Sequence, residues 1–239
     1  MSPNSLPPSI RGPRSDPPTH SSKYNLNTFS TSYASARFHI IKSNNEDDVH
    51  KSIKYRLWSS TKYGNEKLDA SFRHAHSHGI PVFLFFSVNK SGQFVGVAEM
   101  LGRVDFTKNM KFWQADQWAG FFPLKWHIVK DTPHSCFRHI TTFENNFRKS
   151  VTFTRDTHEV SLREGLEMLN IFKGFPHKTS LLCDFSFYDE REKHLIKHKE
   201  CRESGAVSDS DGRAVSDPLW LVLLNENFSL NSFRVKGGC

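Results

Sequence analysis

Apolar residues are grouped along this chain at two spacings, and the alternation between them predicts its elements. Phe38-His39-Ile40-Ile41-Lys42 reads as a first central strand, and the unbroken block Val82-Phe83-Leu84-Phe85-Phe86-Ser87-Val88 as a strand covered on both faces. Asn89-Lys90-Ser91-Gly92 supplies turn chemistry, which makes Phe94 to Met100 a hairpin partner for that strand. Leu124 to Lys130 alternates apolar with polar, so Trp126 should face a core. Val49, Ile53 and Leu57 recur every four residues behind Ser43-Asn44-Asn45-Glu46, which has the form of a capping box; this predicts a helix ending at Trp58. A second helix is predicted over 66–77, with Leu68, Phe72 and Ala75 inward and Gly79 and Pro81 stopping it. Ser161-Leu162-Arg163-Glu164 opens a third, with Leu162, Leu166 and Leu169 inward and Gly174 at its end. A last helix is expected over 184–200, beginning with Phe185, Phe187 and Tyr188 and ending in solvated charge. Strands separated by helices, with hairpins between some strands, imply an α/β fold: a mixed sheet or small barrel wrapped by helices.

The flanks differ in composition. Residues 1–22 mix six prolines with Ser, Asn and Arg and cannot bury enough surface to offset the entropy of ordering, so a disordered leader is expected there. The globular domain should occupy 23–200, with a tail of uncertain structure over 201–239. The chain carries 32 Lys+Arg against 25 Asp+Glu, a formal net charge of +7 that favours a polyanionic partner. Cys136, Cys183, Cys201 and Cys239 are scattered without a C-x-x-C pair, which argues against a zinc ribbon or a disulfide framework. The longest apolar run, Leu219 to Leu224, is far short of the roughly 20 residues that span a bilayer.

Candidate chemistry starts with tryptophan. Trp113 and Trp118 are separated by Gln, Ala, Asp and Gln, a polar setting unlike a core, and Trp58 is followed by the small residues Ser59-Ser60-Thr61. Three such rings suit a box for a flat or methylated ligand, which leaves two classes: methylated ammonium groups held by cation-π attraction and nucleobases held by stacking. Asp116 keeps the cation open. Lys42, Lys54, Arg56, Lys62, Lys67, Lys108 and Lys111 lie near these rings in sequence and would repel a cationic peptide and attract phosphates, so nucleic acid is favoured.

These residues resemble a known family. Lys42 to Asp48, Ser52 to Thr61, Gly64 to Ala70, Phe86 to Asn89, the Trp113 and Trp118 pair and Thr154 to Val160 together look like a YTH domain, most similar to the plant branch called the evolutionarily conserved C-terminal region proteins. The resemblance covers residues 24–195 in collinear order. It implies a PUA-like fold, a small mixed β-barrel or curved sheet wrapped by about four helices. It also implies a monomeric reader of N6-methyladenosine in single-stranded RNA, messenger RNA above all. That reader would need no cofactor, metal or membrane, and would act on RNA stability or fate in the cytoplasm, with the nucleus as the alternative. The family's cage maps onto Trp58, Trp113 and Trp118, its adenine-edge and backbone contacts onto Lys42, Ser43, Asn44, Asp48, Ser59 and Asn89, and its phosphate-contacting arginine onto Arg155. Asn44 replaces a tyrosine common in cytoplasmic relatives, Ser59 a Cys or Ala found in some, and Phe143 to Phe153 departs from the family's Asn-rich, Pro-containing segment.

Rival readings are an enzyme, a methyl-lysine-binding module and a degenerate copy without binding. No nucleophile elbow, phosphate loop or defined acid pair supports catalysis. His74, His76 and His78 put only two imidazoles on one helical face, too few for a metal.

Overall fold

The computed structural model describes residues 23–107, 120–144 and 147–205 of the chain. The leader expected over 1–22 and the tail beyond residue 205 lie outside the described residues. Two compact units divide the chain, Met1–His194 and Leu195–Cys239; the sheet and the candidate site belong to the first.

Among the described residues, eight strands and four α-helices follow one another as β1 (Arg37–Ser43), α1 (Glu46–Tyr55), β2 (Leu57–Trp58), α2 (Lys62–Ser77), β3 (Val82–Val88), β4 (Gln93–Met100), β5 (Phe122–Pro133), β6 (Thr141–Glu144), β7 (Phe147–Ser150), β8 (His158–Val160), α3 (Leu162–Gly174) and α4 (Phe185–Gly205). Six strands make one curved sheet in the order β2-β5-β4-β3-β1-β8, and β6 with β7 forms a separate hairpin. Only the β1–β3 pairing within the sheet is parallel, in register from Arg37 opposite Val82 to Ser43 opposite Val88. The sheet is therefore mixed, as expected, and its open form is a curled half-barrel.

All seven β3 residues are buried because the strand has core on both sides. Leu84 and Phe86 join one cluster with Ile41, Val49, Ile53, Trp58 and Leu68, so that face is covered by α1 and α2. Phe83 and Phe85 join the other with Phe38, Phe94 and Ile128, closed by Met168, Leu169 and Phe172 of α3. Phe172 stacks on Phe85 with centroids 5.6 Å apart. Gly165 allows this approach, since a Cβ there would meet the Phe38 ring at 2.2 Å. Trp126 is 4% exposed and its indole donates to Ser52 Oγ at 3.2 Å, the core placement that its alternation predicted.

Four expectations need correction. Ser43 does not cap α1: it ends β1, and the N-cap is Asn45, whose side chain accepts from the Asp48 amide. The first helix stops at Tyr55, because Arg56 turns left-handed (φ 57°) and its carbonyl accepts from the Leu124 amide, so Leu57 and Trp58 pair with β5 as a strand. The second helix begins four residues earlier than predicted, at Lys62, capped by Thr61. Leu162 is 37% exposed, whereas Leu166 and Leu169 pack inward as predicted and Gly165, Met168 and Phe172 join them on the inner face of α3. The second miss comes from a tertiary contact, that of Arg56 with Leu124, overriding a local pattern.

Candidate functional site

Where β1 ends, the chain turns into α1, and Trp58 to Ser60 pass alongside. Between them opens a cleft with about 250 Å³ of empty space, open solvent included, lined by Lys42, Ser43, Asn44, Asp48, Trp58, Ser59, Ser60 and Asp156. A parallel strand end beside a helix N-terminus presents backbone N–H groups and a positive dipole end, which suits polar or anionic ligand atoms.

The α1 first turn carries three acids with different duties. Glu46 accepts from the Tyr188 hydroxyl and Asp47 pairs with Arg191 at 3.3 Å, so both are taken up by α4. Asp48 turns to the cleft. Its Oδ2 accepts from Asn45 Nδ2 at 3.0 Å, but its buried Oδ1 has no hydrogen-bond partner among the described residues. A buried acceptor left open costs about 1–3 kcal/mol unless a ligand satisfies it. Burial pushes the Asp48 carboxyl above its ordinary value, against the pull of Lys51 and the Asn45 hydrogen bond.

Trp58 forms an apolar wall: it is 4% exposed and stands edge-on to Phe86 at 4.9 Å. The strand leaving it is fixed by side chains. Ser59 Oγ donates to the Gly120 carbonyl at 2.6 Å, and Asn65 donates to the same carbonyl at 3.2 Å while accepting from the Ser60 amide at 2.9 Å. Ser60 Oγ donates to Asp156 Oδ2, and Asp156 Oδ1 accepts from the Lys42 amide, both at 2.8 Å, so one carboxylate ties β1 to the loop after β2. Burial raises the Asp156 pKa, while these hydrogen bonds pull it down. Gly64 is needed here, because a Cβ would meet Ser60 Oγ at 2.2 Å. Thr157 holds a left-handed φ of 56°, costly for a β-branched residue, and so sets the turn that presents Asp156.

The remaining predicted residues take distinct places. Asn89 lies just beyond β3 and braces the rim: its amide donates to the Ser43 carbonyl at 2.8 Å and its Nδ2 to Asn44 Oδ1 at 3.0 Å. Lys42 turns its ammonium to the Thr152 carbonyl at 3.1 Å and to within 5.4 Å of the Phe94 ring. Burial lowers its pKa to about 8, and Asp156 opposes that. Arg155 is exposed beside Asp156, with its amide donating to Glu144. Lys54, expected near the rings, is engaged instead by Asp189 and Glu192 of α4. Trp113 and Trp118 lie outside the described residues. The chain on either side of them is paired through Asp105 and Phe121, and it re-enters at Gly120, the carbonyl held by Ser59. Sequence reasoning missed Ser60 and Asp156 as lining residues, although both fall inside the motifs it singled out.

The model of the YT521-B-like domain family, YTH, matches residues 36–173. The chain belongs to the YTH family. It is 52% identical over 199 residues to the Arabidopsis thaliana YTH domain-containing protein ECT3, a match covering 81% of this chain and 40% of that protein. Mouse YTH domain-containing family protein 1 is 47% identical over 178 residues, covering 74% and 32%. The chain thus spans less than half the length of these curated relatives. Among solved structures, the Pho92 YTH domain in complex with m6A is 32% identical with a TM-score of 0.61, covering 66% of this chain and 98% of that one. The YTH domain of the Zygosaccharomyces rouxii MRB1 protein in complex with N6-methyladenosine RNA gives 30% and 0.57, covering 64% and 96%. Both likenesses extend over nearly the whole of the solved YTH domains, so the half-barrel here is a YTH fold.

Proposed function

We propose that this chain is a binding protein rather than an enzyme, and that its cleft takes the N6-methyladenine base of a single-stranded RNA. The observation that carries this reading is the pairing of the Trp58 wall with the unpartnered Asp48 Oδ1 in one cleft at the end of β1. The complexes of the Pho92 and MRB1 domains support the choice of ligand. Trp113 and Trp118 would supply two further walls of the box. The single remaining N6–H would go to a backbone carbonyl beside Trp58, that of Ser59, and Asn89 would serve the base directly or through Asn44. Arg155 would meet a phosphate. Action on messenger RNA in the cytoplasm extends the same proposal.

Burying one methyl group stabilises by about 0.8 kcal/mol, and an unmethylated amine would aim a surplus donor at aromatic walls for roughly 1–3 kcal/mol more. A titration of one short RNA with and without the methyl group should therefore show a preference of roughly tenfold to several hundredfold. Equal affinities would refute the proposal. A methyl-lysine peptide run alongside tests the cationic alternative, and is expected not to bind.

Asp48 gives a sharper check. An adenine N1 is an acceptor, so a carboxylate facing it needs a proton or a water, whereas an amide donates directly. Asp48→Asn should bind the methylated RNA as tightly as wild type or more tightly, and Asp48→Ala more weakly. Wild-type affinity should decline as pH rises past the raised Asp48 pKa, and the Asn variant should stay level. Calorimetry giving one affinity for all three proteins would remove Asp48 from the site.

A further inference from the structure

The β6–β7 hairpin and the turn after it expose aromatic rings that the cleft does not use. Phe143, Phe147 and Phe153 are 71%, 71% and 73% exposed, whereas most of the other described phenylalanines join the two cores. Large exposed aromatics grouped on one segment mark an interaction site more often than chance placement. The cross-strand register sorts them. Phe143 opposes Arg148, whereas Phe147 opposes Glu144, two positions from the Thr142–Lys149 pair on the same face. That second face is the one anchored to the body of the domain, since Thr142 Oγ1 contacts His158 at 3.1 Å and Glu144 accepts from the Arg155 amide at 3.3 Å. Phe153 and Arg155 are both exposed, on either side of the buried Thr154.

Charge and continuity point to one occupant. Lys149 is paired with Glu144, but among the described residues the Arg148 guanidinium contacts only a hydroxyl, that of Thr141, and Arg155 makes no ion pair. An uncompensated Arg155 beside the face that carries Phe147 would repel a basic peptide and suit a polyanion with flat groups. The patch also runs into the cleft: Asp156, next to Arg155, lines it, and the Thr152 carbonyl, next to Phe153, holds Lys42. Resting on the reading of the cleft as an RNA site, we propose that Phe147 and Phe153, with Arg155 between them and the cleft, form a stacking platform for nucleotides flanking the modified base. Phe143 and Arg148 lie on the opposite face of the hairpin, outside the platform. Successive bases on exposed rings with phosphates on interleaved cations is the arrangement by which proteins hold single strands without reading their sequence.

The test compares the full chain with Phe147→Ser, Phe153→Ser and the double variant on two ligands. One is a trinucleotide centred on N6-methyladenosine, and the other a longer single strand carrying the same centre, each also made without the methyl group. Wild type should bind the longer strand more tightly. Each single variant should weaken the longer strand by about fivefold to a hundredfold, methylated and unmethylated alike, and leave the trinucleotide within twofold. Phe153→Trp should restore or strengthen binding, because it keeps a ring. Thermal unfolding should be nearly unchanged, as the substituted rings are exposed. If the double variant binds the longer strand like wild type, or if wild type gains nothing from added length, the platform is refuted and the rings serve another partner. Loss on the trinucleotide as well would also refute it, by showing a change in the cleft. Failure of the cleft reading appears separately, as equal wild-type affinity for methylated and unmethylated strands of either length.

Discussion

Replacing Trp58 with alanine is expected to destabilise the fold by about 3–5 kcal/mol and to weaken methylated RNA by a further 1–3 kcal/mol. The first effect follows from packing. The indole is 4% exposed, stands edge-on to Phe86 and sits on β2, which holds to the sheet through only the Leu57–Pro123 and Trp58–Phe122 pairs. The second follows from position, since the same ring lines the cleft. Trp58→Phe separates the two. It retains an aromatic wall and most of the contact with Phe86, so it should recover most of the stability and part of the affinity. Urea unfolding gives the first number, and titration well below the unfolding midpoint gives the second. The preference for methylated over unmethylated RNA should shrink towards one in the alanine variant. An alanine variant that is fully stable and binds methylated RNA within twofold of wild type would show that Trp58 is neither core nor wall.

That double role explains why the sequence was legible in some places and not in others. The β3 block and the alternation around Trp126 are patterns that burial itself imposes, so they are visible without coordinates. Trp58 was legible as a binding ring through its small polar neighbours, but its strand was not, because two residues cannot show a period. What made them a strand is the left-handed Arg56 and the Arg56–Leu124 hydrogen bond, a contact between positions far apart in the chain. Asp156 was missed for a related reason. Nothing in an isolated Arg-Asp-Thr predicts that one carboxylate will accept from both the Lys42 amide and the Ser60 hydroxyl. Lys54 illustrates the converse error: nearness in sequence to Trp58 suggested a rim charge, while α4 arrives from the far end of the domain and claims it with Asp189 and Glu192. Charge assigned by sequence proximity fails wherever a later helix packs on the same face.

Acid should destabilise the fold through His39, and the loss should set in below pH 6.5. His39 is wholly buried on β1, with Nε2 2.7 Å from Ser71 Oγ and Nδ1 3.4 Å from the Thr157 carbonyl. A neutral ring protonated on Nδ1 satisfies both: it donates to Thr157 and accepts from the Ser71 hydroxyl. Burial drives its pKa down to about 3; the Thr157 carbonyl resists this, while the charges of Lys67, Arg37 and His158 add to it. In the unfolded chain the same imidazole binds a proton near pH 6.5. Below that value the unfolded state takes up a proton that the folded state refuses, so stability falls with pH by about 1.4 kcal/mol per unit until about pH 3. His134, lowered to about 4, acts in the same direction. Asp48, Asp131 and Asp156 act oppositely, since their raised pKa values relieve the folded state once pH enters the carboxylate range. The histidine effect should therefore stand out between pH 6.5 and 5. His39→Gln keeps a polar contact for Ser71 without an ionisable ring. It should be less stable than wild type by about 1–2 kcal/mol at pH 7.5, yet lose less on acidification, so the two curves converge. Urea midpoints at pH 7.5, 6.5, 5.75 and 5 measure this. Parallel curves would mean that the proton taken up on acid unfolding belongs to another group. Because the folded state keeps His39 neutral down to about pH 3, the Thr157 turn beside Asp156 should hold between pH 6.5 and 5, and wild-type RNA affinity should show no His39-dependent loss over that interval.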